Sequence, residues 1–216
     1  MTDFSARRTI MVDSQIRPSD VTKYAIIDAM LNVPREVYVP ENLREAAYLG
    51  ENLPLAQGRV LLDPRSFAKL VDALDIQPDE LVLDIGTALG YSSAVLARLA
   101  DAVIAVEEPE LAAEAENRLI QSGVDNAVVV AGPLTEGAAK HGPYDVIMIQ
   151  GAVEQVPQSL TDQLKEGGRI AALFMERNLG VARIGYRVDG EINWRPVFNA
   201  SAPVMPGFAV ARNFAL

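Results

Sequence analysis

The stretch Leu83-Asp84-Ile85-Gly86-Thr87-Ala88-Leu89-Gly90-Tyr91 decides the fold. It ends an apolar run of strand length, Leu81 to Ile85. Two glycines then interrupt the chain, and Ser92 to Leu99 continues at helical length. A glycine turn between strand and helix lets the backbone approach a ligand, and the first N–H groups of the helix point at it. In open α/β sheets ligands sit beyond the carboxyl ends of the strands, and this turn lies at such an end.

Downstream, short apolar runs alternate with helical stretches. The runs are Leu81 to Ile85, Ala102 to Val106, Ala127 to Val130, Val146 to Ile149 and Arg169 to Phe174. Between them lie Ser92 to Leu99, Pro109 to Gln121, a short stretch near Thr135, and Gln158 to Leu164. Strands apolar throughout are buried on both faces. Strand and helix in alternation build a parallel sheet through right-handed crossovers. Asp189-Gly190 between Val181 to Val188 and Asn193 to Asn199 is a hairpin signal, which predicts an antiparallel edge. The tail from Ala200, with Pro203, Pro206 and Gly207, either covers the active site or closes the sheet.

Upstream the chain reads as helical. Val21, Tyr24, Ile27 and Leu31 recur at helical spacing, with Ser19 and Asp20 as candidate caps and Pro34 as the stop. Val37-Tyr38-Val39-Pro40 reads as extended, and Glu41 to Leu49 as a short helix ending at Gly50. Leu53-Pro54-Leu55-Ala56-Gln57-Gly58 is a loop without regular period, and Pro64 opens the next helix at its first position. The expected organisation is one domain over 1–216. Residues 1–78 form a helical N-terminal part with a ligand-facing loop, and 79–216 the glycine-turn sheet.

Composition narrows the function. Half of the 216 residues are apolar, enough for a sizeable core. The net charge is -10 with no basic run, which argues against nucleic acid or an anionic membrane surface as partner. There is no cysteine, so thiolate zinc sites, disulfides and cysteine nucleophiles are excluded. The lone His141 sits in a turn-like Lys140-His141-Gly142-Pro143, unsuited to a catalytic triad, and cannot build a multi-histidine metal site. Met1 to Ile10 lacks the apolar core of a signal peptide, and no run approaches the ~20 apolar residues of a membrane span. The cytoplasm is the expected compartment. Oligomeric state is not legible.

The turn itself selects among ligands. A dinucleotide fingerprint needs G-x-G-x-x-G. Here Ala88 holds the second glycine's position and no third glycine follows, so a nicotinamide cofactor is disfavoured. Asp84, two residues before the first glycine, suits the cationic sulfonium and amino group of S-adenosylmethionine. Glu107 ends the next strand ~20 residues on, where a carboxylate accepts from both ribose hydroxyls. The bland alternatives are a helix-dipole role for Asp84 and a solvated helix start for Glu107 and Glu108 before Pro109.

Four segments together resemble the protein-L-isoaspartate O-methyltransferase family, over roughly Val21 to Leu173. Val33-Pro34-Arg35-Glu36 with Val39-Pro40 resembles its N-terminal segment. Leu53-Pro54-Leu55-Ala56-Gln57-Gly58 resembles its substrate loop, L-P-I-G-x-G. Leu83 to Tyr91 resembles its cofactor loop, L-E-I-G-T-G-S-G-Y, and Leu164-Lys165-Glu166-Gly167-Gly168-Arg169 its L-K-P-G-G-R. The resemblance implies a Rossmann-like class I methyltransferase, mostly parallel, with an edge hairpin and an N-terminal helical segment. It implies S-adenosylmethionine as cofactor, held by Asp84, Gly86, Thr87, Gly90 and Glu107. It implies proteins or peptides carrying isoaspartyl residues as substrate, met by Gln57 and Gly58, in a repair reaction that methylates the α-carboxylate. That carboxylate is already ionised and the sulfonium already activated, so alignment supplies most of the rate and no general base is required.

The chain departs from this pattern at identifiable positions. The family's T-I-S is Val60-Leu61-Leu62 here, followed by Asp63-Pro64. Hydroxyls expected to bind the substrate are therefore absent at Val60 and Leu62. Asp63 is the remaining candidate, with Arg59 or Arg65 as the cation to neutralise it beside a carboxylate substrate. Ala88 replaces a glycine, at a cost on the order of 1 kcal/mol if the position needs positive φ. Gly132-Pro133-Leu134 replaces a G-D-G whose Asp approaches adenine, and Gln150-Gly151-Ala152-Val153-Glu154 replaces an alanine-rich segment. Three functions stay open: the family's activity, methylation of another substrate by a divergent paralogue, or a non-catalytic interaction protein that keeps the fold.

Overall fold

The structure, a computed structural model, describes residues 3–210. α1 (Phe4–Met11) is capped by Asp3, whose Oδ1 accepts from Ala6 N at 3.0 Å. The chain continues through a π-helical turn, Val12–Ile16, and a 3-10 turn, Arg17–Ser19. α1 was not legible because Met1 to Ile10 is polar; in it only Met11 is buried. α2 (Tyr24–Asn32) starts later than expected. Asp20 sits at φ 67 and Ser19 Oγ donates back to Gln15 O at 2.7 Å, so neither caps α2. Of Val37-Tyr38-Val39-Pro40, expected as extended, Val37 and Tyr38 belong to a 3-10 turn, Arg35–Tyr38, while Val39 is extended. Local β-propensity loses there to burial of both Arg35 and Tyr38. Arg35 Nε donates to Ala47 O at 2.6 Å, and its guanidinium stacks 4.8 Å from the Tyr91 ring centre.

β1 (Leu53–Pro54) and β2 (Val60–Leu61) pair antiparallel and close the loop between them. α3 (Pro64–Leu74) follows, with Pro64 at its first turn. The sheet then builds from β3 (Leu81–Ile85), β4 (Ala102–Glu107), β5 (Ala127–Ala131), β6 (Tyr144–Val153), β7 (Leu164–Glu176), β8 (Leu179–Val188) and β9 (Glu191–Asn199). α4 (Tyr91–Leu96), α5 (Pro109–Gln121) and α6 (Gln158–Thr161) are interleaved. The strand order is β5-β4-β3-β6-β7-β8-β9. Pairs from β5 through β7 are parallel, and β7-β8-β9 antiparallel. The mostly parallel Rossmann-like sheet and its edge hairpin are thus as expected. Asp189 at φ 53 and Gly190 at φ 81 make the two-residue turn between β8 and β9, as their sequence signalled.

Some boundaries differ. β5 is an edge strand and not buried on both faces; Val128 is half exposed. The stretch at Thr135 is a turn, and a 3-10 turn forms at Ala139–His141 instead. α6 is one turn long because Leu164 already begins β7.

The order reverses at β3, which has β4 on one side and β6 on the other. That is the switch point at which such sheets open a crevice. Central strands are sealed on both faces. One core cluster joins them to α1, α2 and α3, and the other holds Leu83, Ile85, Val106 and Ile149 with Phe208. Among the described residues no helix is long and apolar enough to cross a membrane.

Arg169 explains the Gly167-Gly168-Arg169 motif. It pairs with Glu80 at 2.6 and 2.7 Å and donates to Asp75 O at 2.6 Å and to Leu74 O, tying β7 to the end of α3. Arg169→Met is expected to cost about 1.5–3 kcal/mol, as for hydrogen bonds to charged groups. Urea unfolding checks it: an unchanged midpoint would mean the clasp is not holding the two elements.

Candidate active site

The turn after β3 carries left-handed backbone at Gly86 (φ 79), Ala88 (φ 52) and Gly90 (φ 96). Ala88 therefore adopts the conformation that costs a non-glycine residue about 1–2 kcal/mol. Its N–H donates to Glu107 Oε2 at 2.8 Å, which helps to hold it there. Thr87 Oγ1 shares hydrogen bonds with Ser93 Oγ at 2.7 Å and Ser92 Oγ at 3.3 Å.

Asp84 is fully buried. Ser92 and Ser93 each donate to its Oδ2 at 2.6 Å, and Gln150 Nε2 donates to Oδ1 at 2.7 Å. Burial pushes its pKa up, and those donors partly restrain the rise. The carboxylate ties the start of α4 and the end of β6 to β3. Tyr91, at the base of the turn, also has its pKa raised by burial, opposed by Arg35.

Glu107 ends β4 with its side chain fully enclosed, and so is its partner Arg59. Arg59 Nη2 and Nε donate to Oε1 at 2.8 and 3.0 Å, and Nε also reaches Oε2 at 3.2 Å. Glu108 N donates to Oε1 at 2.8 Å. With Ala88 N this fills the ~4 lone-pair directions of a carboxylate. Arg59 further donates to Gln57 O at 3.2 Å and lies 3.5 Å from Glu108 Oε2. So Arg59 does not neutralise Asp63. Asp63 caps α3, accepting from Ser66 N at 2.9 Å, and Arg65 is exposed. Val60 and Leu62 are buried in the core. Gln57 (φ 56) and Gly58 (φ 71) are exposed at the rim, where Gln57 donates to the Glu110 carboxylate.

The tail crosses this site. Val204 bridges Ala152; Met205 N donates to Ala152 O at 2.9 Å and Ala152 N to Pro203 O at 3.2 Å. Glu154 N and Gln155 N donate to Phe208 O at 3.0 and 3.2 Å. Met205 and Phe208 are buried. A Cβ built on Gly151 would stand 2.5 Å from Met205 Cγ, and one on Gly86 3.1 Å from its Sδ. Pro206 packs at 3.5 Å from the same position on Gly58. The tail therefore covers the site. A cleft of about 580 Å³ beside Glu108 is lined by Gln57, Glu108, Pro109, Glu110, Gly132 and Pro133. His141 is exposed, and no cluster of three or more potential metal ligands occurs among the described residues.

Comparison with known proteins now places the chain. The profile of the protein-L-isoaspartate(D-aspartate) O-methyltransferase (PCMT) family matches residues 6–197. The chain belongs to the protein-L-isoaspartate O-methyltransferase family. A relative of that name from Methanoculleus marisnigri is 39% identical over 166 residues, 76% of each chain. "Protein-L-isoaspartate O-methyltransferase 2" of Pelobacter propionicus is 37% identical over 185 residues, 83% of this chain and 82% of the relative. A solved protein-L-isoaspartate O-methyltransferase superposes with a TM-score of 0.80 at 22% identity, over 95% of this chain and 66% of that one. A Plasmodium falciparum structure of this family, in complex with S-adenosyl-L-homocysteine, gives 0.78 at 17% identity, over 95% and 99%. The last two are likenesses of fold.

In the described conformation the groups expected to meet the family's methyl donor are engaged by the protein itself. Both oxygens of Glu107 are engaged by Arg59 and backbone N–H groups, both oxygens of Asp84 by side chains, and Met205 fills the space over Gly86 and Gly151. Sequence reasoning placed Asp84 and Glu107 here but missed their partners Ser92, Ser93, Gln150 and Arg59, as well as Met205. Only the replacement of an alanine-rich segment by Gln150-Gly151 signalled that something different packs there.

Arg59→Met leaves a buried carboxylate uncompensated and is expected to cost about 3–5 kcal/mol. The double variant with Glu107→Leu should lose less than the sum of the two single losses, since neither charge is then left alone, although Ala88 N and Glu108 N lose their acceptor. Thermal unfolding of the four proteins of the cycle checks it; additive losses would mean the two charges do not depend on each other.

Proposed function

We propose that the chain is an S-adenosylmethionine-dependent O-methyltransferase whose acceptor is the isoaspartyl carboxylate of damaged proteins. The family match over residues 6–197 carries the reading. It is supported by a glycine turn at the switch point of a parallel sheet, with an acid on each of the two adjacent strand ends, Asp84 and Glu107. Among the residues expected to meet a substrate, Gln57 lines the cleft and Gly58 beside it is exposed. Val60 and Leu62 are not available, so the acceptor is held by the rim and not by hydroxyls at those positions.

The Arg59–Glu107 pair favours a second reading, a fold kept for interaction without turnover. The two separate in one assay. An isoaspartyl peptide incubated with methyl-labelled donor should yield a base-labile methyl ester and S-adenosylhomocysteine. Absence of ester, with no shift in melting temperature at high S-adenosylhomocysteine, would contradict the enzymatic reading; a ligand at 100 Kd adds about 2.7 kcal/mol and would be visible.

A further inference from the structure

We propose that the segment 202–208, seated against Arg59's loop, is an internal plug of the methyl-donor site that the donor must displace to bind. The inference rests on the donor reading above. Met205 places a thioether at the glycine turn, on the very surface where ligands of such sheets are received. Its seat is made of glycines. A single methyl on Gly151 would collide with Met205 Cγ at 2.5 Å. Pro206 rests on Gly58, next to Arg59, so the tail and the loop that satisfies Glu107 form one closed layer.

The layer is anchored at few points. Only Ala202, Met205 and Phe208 of the segment are buried, and Pro203, Pro206 and Gly207 are exposed. Among the described residues its backbone bonds to other segments run to Ala152, Glu154 and Gln155 at the end of β6, and Asn52 Nδ2 donates to Ser201 O at 2.7 Å just before it. The strands beneath are bonded to neighbours along their length. A site that is open for only a fraction of the time binds with an apparent Kd raised by the inverse of that fraction. The plug therefore sets the protein's affinity for its donor, and whatever grips the segment from outside would raise it.

The test compares the full chain with the double variant Met205→Ala/Phe208→Ala by calorimetric titration with S-adenosylhomocysteine. The variant is expected to bind at least about tenfold tighter, the opened fraction having risen by that factor. Gly151→Ala, which pushes Met205 out with one methyl, serves the same end if the double variant does not fold. Equal Kd values would overturn the plug and leave the donor reading standing. No binding by any form would overturn the donor reading. Hydrogen exchange of the ligand-free full chain reads the plug without any donor. The Met205 and Phe208 amides should exchange through a local opening, faster than those of Ile85 and Val106. Exchange as slow as in β3 and β4 would show a fixed part of the core and overturn the proposal.

Discussion

A buried guanidinium clasped to a buried carboxylate governs the head of this sheet. Neither Arg59 nor Glu107 is tolerable alone in that place, since taking a charge out of water costs several kcal/mol unless a partner repays it. Together they fix the loop between β1 and β2 onto the end of β4. The same carboxylate accepts from Ala88 N and so helps to hold the left-handed turn that a missing glycine would otherwise destabilise. Remove the pair and the turn, the loop and the rim lose a common anchor.

Seen from that pair, the chain's departures from its family belong together. Val60 and Leu62 are apolar because β2 and the residue after it face core. Asp63 caps α3, accepting from Ser66 N. Gly151 is small because Met205 lies on it, and Asp84 is saturated by Ser92, Ser93 and Gln150.

Much of this fold is written in local pattern. The strands of the parallel sheet, the turn at Gly86 to Gly90, the helix starting at Pro64 and the hairpin at Asp189-Gly190 all follow from runs of apolar residues and their punctuation. What local pattern cannot give is which distant group meets which. Arg59 and Glu107 are 48 residues apart, and Gln150 and Asp84 are 66 apart. Val37 and Tyr38 misread as extended because Val, Tyr and Val favour strands locally, while burial of Arg35 against Tyr91 decided otherwise. The tail was legible as a segment but its seat was not, since nothing in Pro203 to Phe208 names the glycines it rests on.

The most direct measurement is a nuclear Overhauser spectrum of the full-length, ligand-free protein labelled at the methionine ε-methyl groups. In the structure the Met205 methyl lies 3.6 Å from the Cβ position of Gly151 and 3.8 Å from that of Gly86. Cross-peaks from that methyl to the Hα atoms of both glycines are expected. A Met205 methyl with a random-coil shift and no contact to either glycine would contradict a site filled by its own chain.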